Sequence, residues 1–96
     1  MTDRYRENID RLYDVLTTAQ GERPKRPNLI AAADGGVECE WARFERNTMW
    51  EEVNRIRSEH GLRPALLSSI VCAEQQAVGH SDYTKKFALY CAELTV

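Results

Sequence analysis

Cysteine is sparse, with three residues (Cys39, Cys72 and Cys91) in a chain of 96. They form an odd, widely spaced set without any C-x-x-C pair. Such spacing argues against a disulfide framework, and it lacks the closely set Cys and His pairs by which structural zinc sites are recognised. The thiols read as reduced and mostly buried, consistent with a cytoplasmic location. No G-x-x-x-x-G-K-S/T or G-x-G-x-x-G pattern occurs, and Gly35-Gly36 reads as a turn, so nucleotide binding has no support. No cofactor is called for. The segment opening with Met1-Thr2-Asp3-Arg4 lacks the apolar stretch of a signal peptide, and no apolar run reaches membrane-spanning length.

A surplus of positive charge is also missing: 13 Lys and Arg stand against 15 Asp and Glu, for a formal net charge of −2. Only the middle third, residues 28–61, leans acidic. Three helices in succession invite a helix-turn-helix reading, yet no Lys or Arg lies between Pro64 and Thr84. Affinity drawn from phosphate neutralisation needs several such residues, so nucleic acid is disfavoured. The Arg23-Pro24-Lys25-Arg26 stretch reads as a solvated connector.

What is present is an ordinary globular composition, 43% apolar and 29% charged, in a chain long enough for one core and too short for two. The expected fold is mainly α with a β-hairpin (α+β), in a single domain over 1–96. Tyr5, Ile9, Leu12, Tyr13, Leu16 and Ala19 fall on one stripe and predict a helix over 3–19, capped by Thr2 and closed at Gly21. Residues 29–44 read as a hairpin about Asp34-Gly35-Gly36, because Val37-Glu38-Cys39-Glu40-Trp41 alternates with period two. A helix competes for this stretch, since Val37, Trp41 and Phe44 also recur at helical spacing. Thr48-Met49-Trp50-Glu51 has capping-box spacing and opens a helix over 49–60. Gly61 closes it, Pro64 opens the next over 64–78, and Ser81 caps the last over 82–94.

The helical wheel of 64–78 places Leu66, Ile70, Ala73 and Ala77 on one apolar edge and Leu67, Val71 and Val78 on the other. Glu74 falls between them. Burial would raise its pKa towards general acid or base use, whereas a basic partner would lower it. An enzyme reading would gather Glu74, His80 and Tyr83, with Cys72, at the corner of the last two helices. The plainer account of Glu74 is a paired or boundary carboxylate, and of His80 a turn residue.

Aromatic and aliphatic side chains in excess of a one-sided core remain. Trp50 sits at the edge of its helix's stripe with Arg57 between them, Leu89 points away from the Tyr83, Phe87, Tyr90 stripe, and Trp41 stands on a hairpin that is marginal alone. Trp41, Trp50, Arg57 and Leu89 are therefore the interface candidates. The leading expectation is a non-enzymatic protein-interaction or regulatory module with a protein partner, as a homodimer joined through its hairpins. An accessory protein of a phage or other mobile element, which blocks a host protein by binding it, is one version. The other expectations are a helix-turn-helix-like DNA-binding regulator and a small enzyme built on Glu74 and His80.

Overall fold

The amphipathic stripes predicted from the sequence fold, in a computed structural model, into four helices with a hairpin inserted after the first. The structure describes residues 3–96, so Thr2 and its proposed cap lie outside the described residues. The order is α1 (Asp3–Glu22), β1 (Leu29–Ala31), β2 (Val37–Cys39), α2 (Glu40–Glu59), α3 (Leu67–Ala77) and α4 (Tyr83–Ala92), closed by a 3-10 turn at Glu93–Thr95. The protein is thus mainly α with a small antiparallel hairpin.

Side-chain pairs fix the helix directions. Arg11 meets Glu52 and Glu59 while Gln20 meets Glu45, so α2 descends as α1 rises. Arg46 meets Glu74 while Trp50 and Asn54 meet Ala65, which turns α3 against α2. Asn8 meets Thr95 while Gln20 meets Thr84, which closes α4 antiparallel onto α1. The result is an up-down-up-down bundle. Leu12, Leu16, Met49, Val53, Ile56, Ile70, Phe87 and Cys91 are fully enclosed at its centre. At the lower end a polar pair is buried with them: Asn8 Nδ2 donates to Thr95 Oγ1 at 2.9 Å, and that hydroxyl donates to the Ala92 carbonyl.

Four boundaries differ from expectation, each for a physical reason. The hairpin ends at Cys39, and the helix that competed for its second half prevails from Glu40. Thr48 is accordingly no cap; it lies inside α2 and its hydroxyl donates to the Phe44 carbonyl one turn back. The core stripe of α2 is Glu45, Met49, Glu52, Val53 and Ile56, so two carboxylates occupy inward positions and interrupt the hydrophobic signal. α1 runs on through Gly21 to Glu22, because a glycine in a last turn costs only about 1 kcal/mol and Pro24 is the effective stop. That extra turn brings Gln20 and Arg23 onto Glu45.

Pro64 does not open α3, which starts at Leu67. Residues 62–66 are held outside the helix by α2: Asn54 Oδ1 accepts the Ala65 N–H at 2.7 Å, and Trp50 Nε1 donates to the Ala65 carbonyl at 2.8 Å. Ser81 makes no cap either, since α4 begins at Tyr83 after Asp82 with no side-chain cap bond. The Gly61 stop holds in full. Gly61 has φ of 71°, its N–H reaches the Ser58 carbonyl, and Leu62 N–H reaches that of Arg57, the paired bonds of a Schellman motif.

Candidate functional site

The two apolar edges of α3 have different fates. Ile70, Ala73 and Ala77 enter the core and carry Glu74 with them to 9% exposure. Leu67 and Val71 remain outside and form one wall of a cleft of about 680 Å³, whose opposite wall is the hairpin from Ala31 to Asp34 and Val37. Glu38, Arg43, Arg46 and Glu74 lie in the cleft between those walls.

These four side chains form one ionic network. Glu38 Oε1 accepts from Arg43 Nε and Glu38 Oε2 from Arg46 Nη2, both at 2.5 Å. Arg46 Nη1 reaches Glu74 Oε1 at 3.2 Å. Arg43 also donates to the Ala31 carbonyl. Arg46 is therefore the hub that joins β2 to α3, and Arg43 clasps both strands to α2. Hydrogen bonding to Arg43 and then Arg46 holds the Glu38 carboxyl below its ordinary range. Glu74 moves the other way: burial outweighs Arg46, and neighbouring Glu45 and Glu38 add to the rise.

A raised carboxyl pKa carries a definite sign. Folded Glu74 holds a proton more tightly than unfolded Glu74, so its ionised form costs stability at neutral pH, and that cost is relieved as pH falls through the raised value towards 4.5. Glu74→Gln, which copies the protonated shape, is expected to raise the melting temperature at pH 7 by a few degrees. The gain should vanish at pH 4 and below; thermal denaturation followed by circular dichroism at both pH values checks it.

The other predicted residues are dispersed. Tyr83 is half-buried, packs on Phe87 with ring centroids 5.7 Å apart, and its phenol is pushed up by burial and then by Glu74. Tyr83 thus shares the electrostatic environment of Glu74. His80 is exposed in the turn before α4 and lies outside the cleft. Cys72 is exposed, contrary to the mostly buried expectation; Cys39 is half-buried, and Cys91 is buried, its thiol pushed up to about 12 by burial. Among the described residues no group of three His, Cys, Asp or Glu side chains is placed to hold a metal ion.

Trp41, Trp50 and Arg57 serve as tethers within the chain. Trp41 Nε1 donates to the Pro24 carbonyl at 2.8 Å, and the Arg23 guanidinium stacks 4.0 Å from its ring centroid. Trp50 holds Ala65. Arg57 donates to the carbonyls of Arg63 and Leu94 and so fastens both the α2–α3 connection and the chain's last turn. Leu89 is half-buried on α4.

The apolar surface left over lies elsewhere. In the hairpin register Leu29 pairs with Cys39, Ile30 with Glu38 and Ala31 with Val37, so Leu29, Ala31, Val37 and Cys39 share one face. Glu38 turns inward to the arginines, and the apolar set faces out, with Leu29 at 76% and Val37 at 71% exposure. Leu66 and Val78, which flank α3, are also exposed; Leu66 leaves the inward edge expected of it because the helix starts only after it. The sequence reading missed Leu29, Val37, Arg43 and Arg46. The available signal was Glu38 followed five and eight residues later by arginines, which inverts the usual polar-out alternation.

The site thus holds fixed, mutually neutralised charges in a cleft beside an apolar strand face. Among the described residues no helix is long and apolar enough to cross a membrane. No protein-family model, curated protein or solved structure matches the chain, so its family is not assigned.

Proposed function

We propose that the protein is a non-enzymatic protein-interaction module that works as a homodimer, joined through the hairpin. The observation that carries this reading is the outward apolar face of β1 and β2, where Leu29 and Val37 are each more than two-thirds exposed. An isolated two-stranded sheet is marginal, and its open edges are templates for pairing.

The hydrogen bonds show which edge is open. Ala32 N–H to Gly36 O and Glu40 N–H to Asn28 O put the even-numbered residues in the bonded pairs. The odd-numbered residues therefore direct their amides to the outer edges. On the β1 side, Arg43 occupies the Ala31 carbonyl and Pro27 has no N–H, which blunts that edge. Among the described residues none makes a side-chain hydrogen bond to the β2 edge at Val37. Antiparallel pairing of two β2 edges lays Val37 of each copy against the other's β2 and continues the apolar face of Leu29, Ala31 and Val37 from one hairpin into the next, which favours a second copy as the occupant.

Size-exclusion chromatography with light scattering tests it. Wild-type protein should give twice the chain mass of 11.0 kDa, and the double variant Leu29→Lys/Val37→Lys should give the chain mass with unchanged helicity. Both substitutions sit at exposed positions, so the fold is expected to tolerate them. A wild-type chain that stays monomeric at the highest attainable concentration would refute the dimer.

A further inference from the structure

We infer that the outer groove between α1 and α2 receives a basic amphipathic helix from another protein. This surface is separate from the hairpin, and the inference does not depend on the dimer. The groove is a depression of about 360 Å³ with Val15 and Phe44 among its lining residues. Phe44 remains 37% exposed there, an aromatic ring that the core does not absorb.

The charge around this apolar strip is one-sided. Asp14, Glu22 and Glu51 border it and make no ion pair with any described residue. Among the described residues Arg55 is the one cation that lines it, and it is committed to Glu52 at 2.6 Å. Glu51 and Arg55 also border the adjoining depression beside Trp50 and Glu59, so the strip continues down α2. Two antiparallel helices present a groove in which a third can lie, its apolar residues against Val15 and Phe44 and its flanking Lys or Arg against the carboxylates. An acidic helix would meet like charge along the whole length, and a basic chain without apolar residues would leave Phe44 uncovered. Charge and shape together therefore specify basic and amphipathic.

The test uses the full chain and three labelled peptides of equal length, followed by fluorescence anisotropy: lysine and leucine at helical spacing, glutamate and leucine at the same spacing, and lysine with glycine. The lysine–leucine peptide should bind, and the other two should bind at least about tenfold more weakly. Glu51→Lys, an exposed change, should weaken binding about tenfold, and Phe44→Ala by a comparable factor. Asp82→Lys makes the same change in net charge at the α3–α4 turn and should leave binding within about twofold of wild type. The proposal is overturned if Asp82→Lys matches Glu51→Lys, if the lysine–glycine peptide binds as well as lysine–leucine, or if no peptide binds. The Leu29→Lys/Val37→Lys variant should bind the peptide like wild type, which separates failure of the groove from failure of the dimer.

Discussion

Phe87→Ala is expected to be the most destabilising of the substitutions considered, lowering the urea midpoint sharply. Phe87 is fully enclosed among the core side chains, on the inward face of α4 and against the Tyr83 ring. Truncating a buried phenylalanine costs about 3–5 kcal/mol through lost transfer energy and the cavity left behind. Domains of this size are typically stable by about 5–15 kcal/mol, so one such cavity removes a large share. The core has little with which to refill it, since four of its members, Ala73, Ala77, Ala88 and Ala92, have side chains of a single methyl group. Urea denaturation followed by circular dichroism should show a much lower midpoint with loss of helix from all four elements together. A midpoint within experimental error of wild type would mean that α4 is not part of the cooperative unit.

Arg46→Ala is expected to have the next largest effect, with a signature that separates it from a packing loss. Its removal leaves Glu38 with Arg43 but leaves Glu74 without a cation in a nearly enclosed site. Breaking a buried pair on one side costs about 3 kcal/mol or more at neutral pH. The cost should shrink as pH falls, because Glu74 can discharge by taking up a proton. Combining Arg46→Ala with Glu74→Gln should recover much of the loss at pH 7, a coupling that a double-mutant cycle measures directly. Equal losses at pH 7 and pH 5, with no recovery in the double variant, would assign Arg46 a packing role alone.

The parts of this fold that were legible in the sequence are those where one local rule acts without competition. Gly61 and the stripe of α1 belong here, as does the enclosure of Glu74, which follows from helical geometry and the identity of its neighbours. The misread parts are those where tertiary partners override local preference. Glu45 and Glu52 put charge at inward positions and so break the apolar stripe of α2, yet Gln20, Arg23, Arg11 and Arg55 supply the partners that allow their burial. Thr48 carries the spacing of a cap, but a cap requires a chain break before it, and the core stripe runs straight through. The tryptophans looked surplus because their acceptors, the carbonyls of Pro24 and Ala65, lie in irregular segments that leave no periodic trace. For the same reason the hairpin's apolar side could not be assigned: the alternation of Val37, Glu38 and Cys39 is symmetric until Arg43 and Arg46 select Glu38 as the inner residue.

The two inward carboxylates of α2 also act as an alignment code. Glu45 and Glu52 are spaced two helical turns apart, and they are answered by Gln20 of α1 with Arg23 just beyond it at one end and by Arg11 of α1 at the other. A hydrophobic seam alone would let α1 slide along α2 by a turn with little change in burial. With the carboxylates present, such a slide strands at least one ionised group against apolar neighbours, at a cost of several kcal/mol. Arrangements of α1 and α2 one turn out of register are thereby disfavoured against the native one.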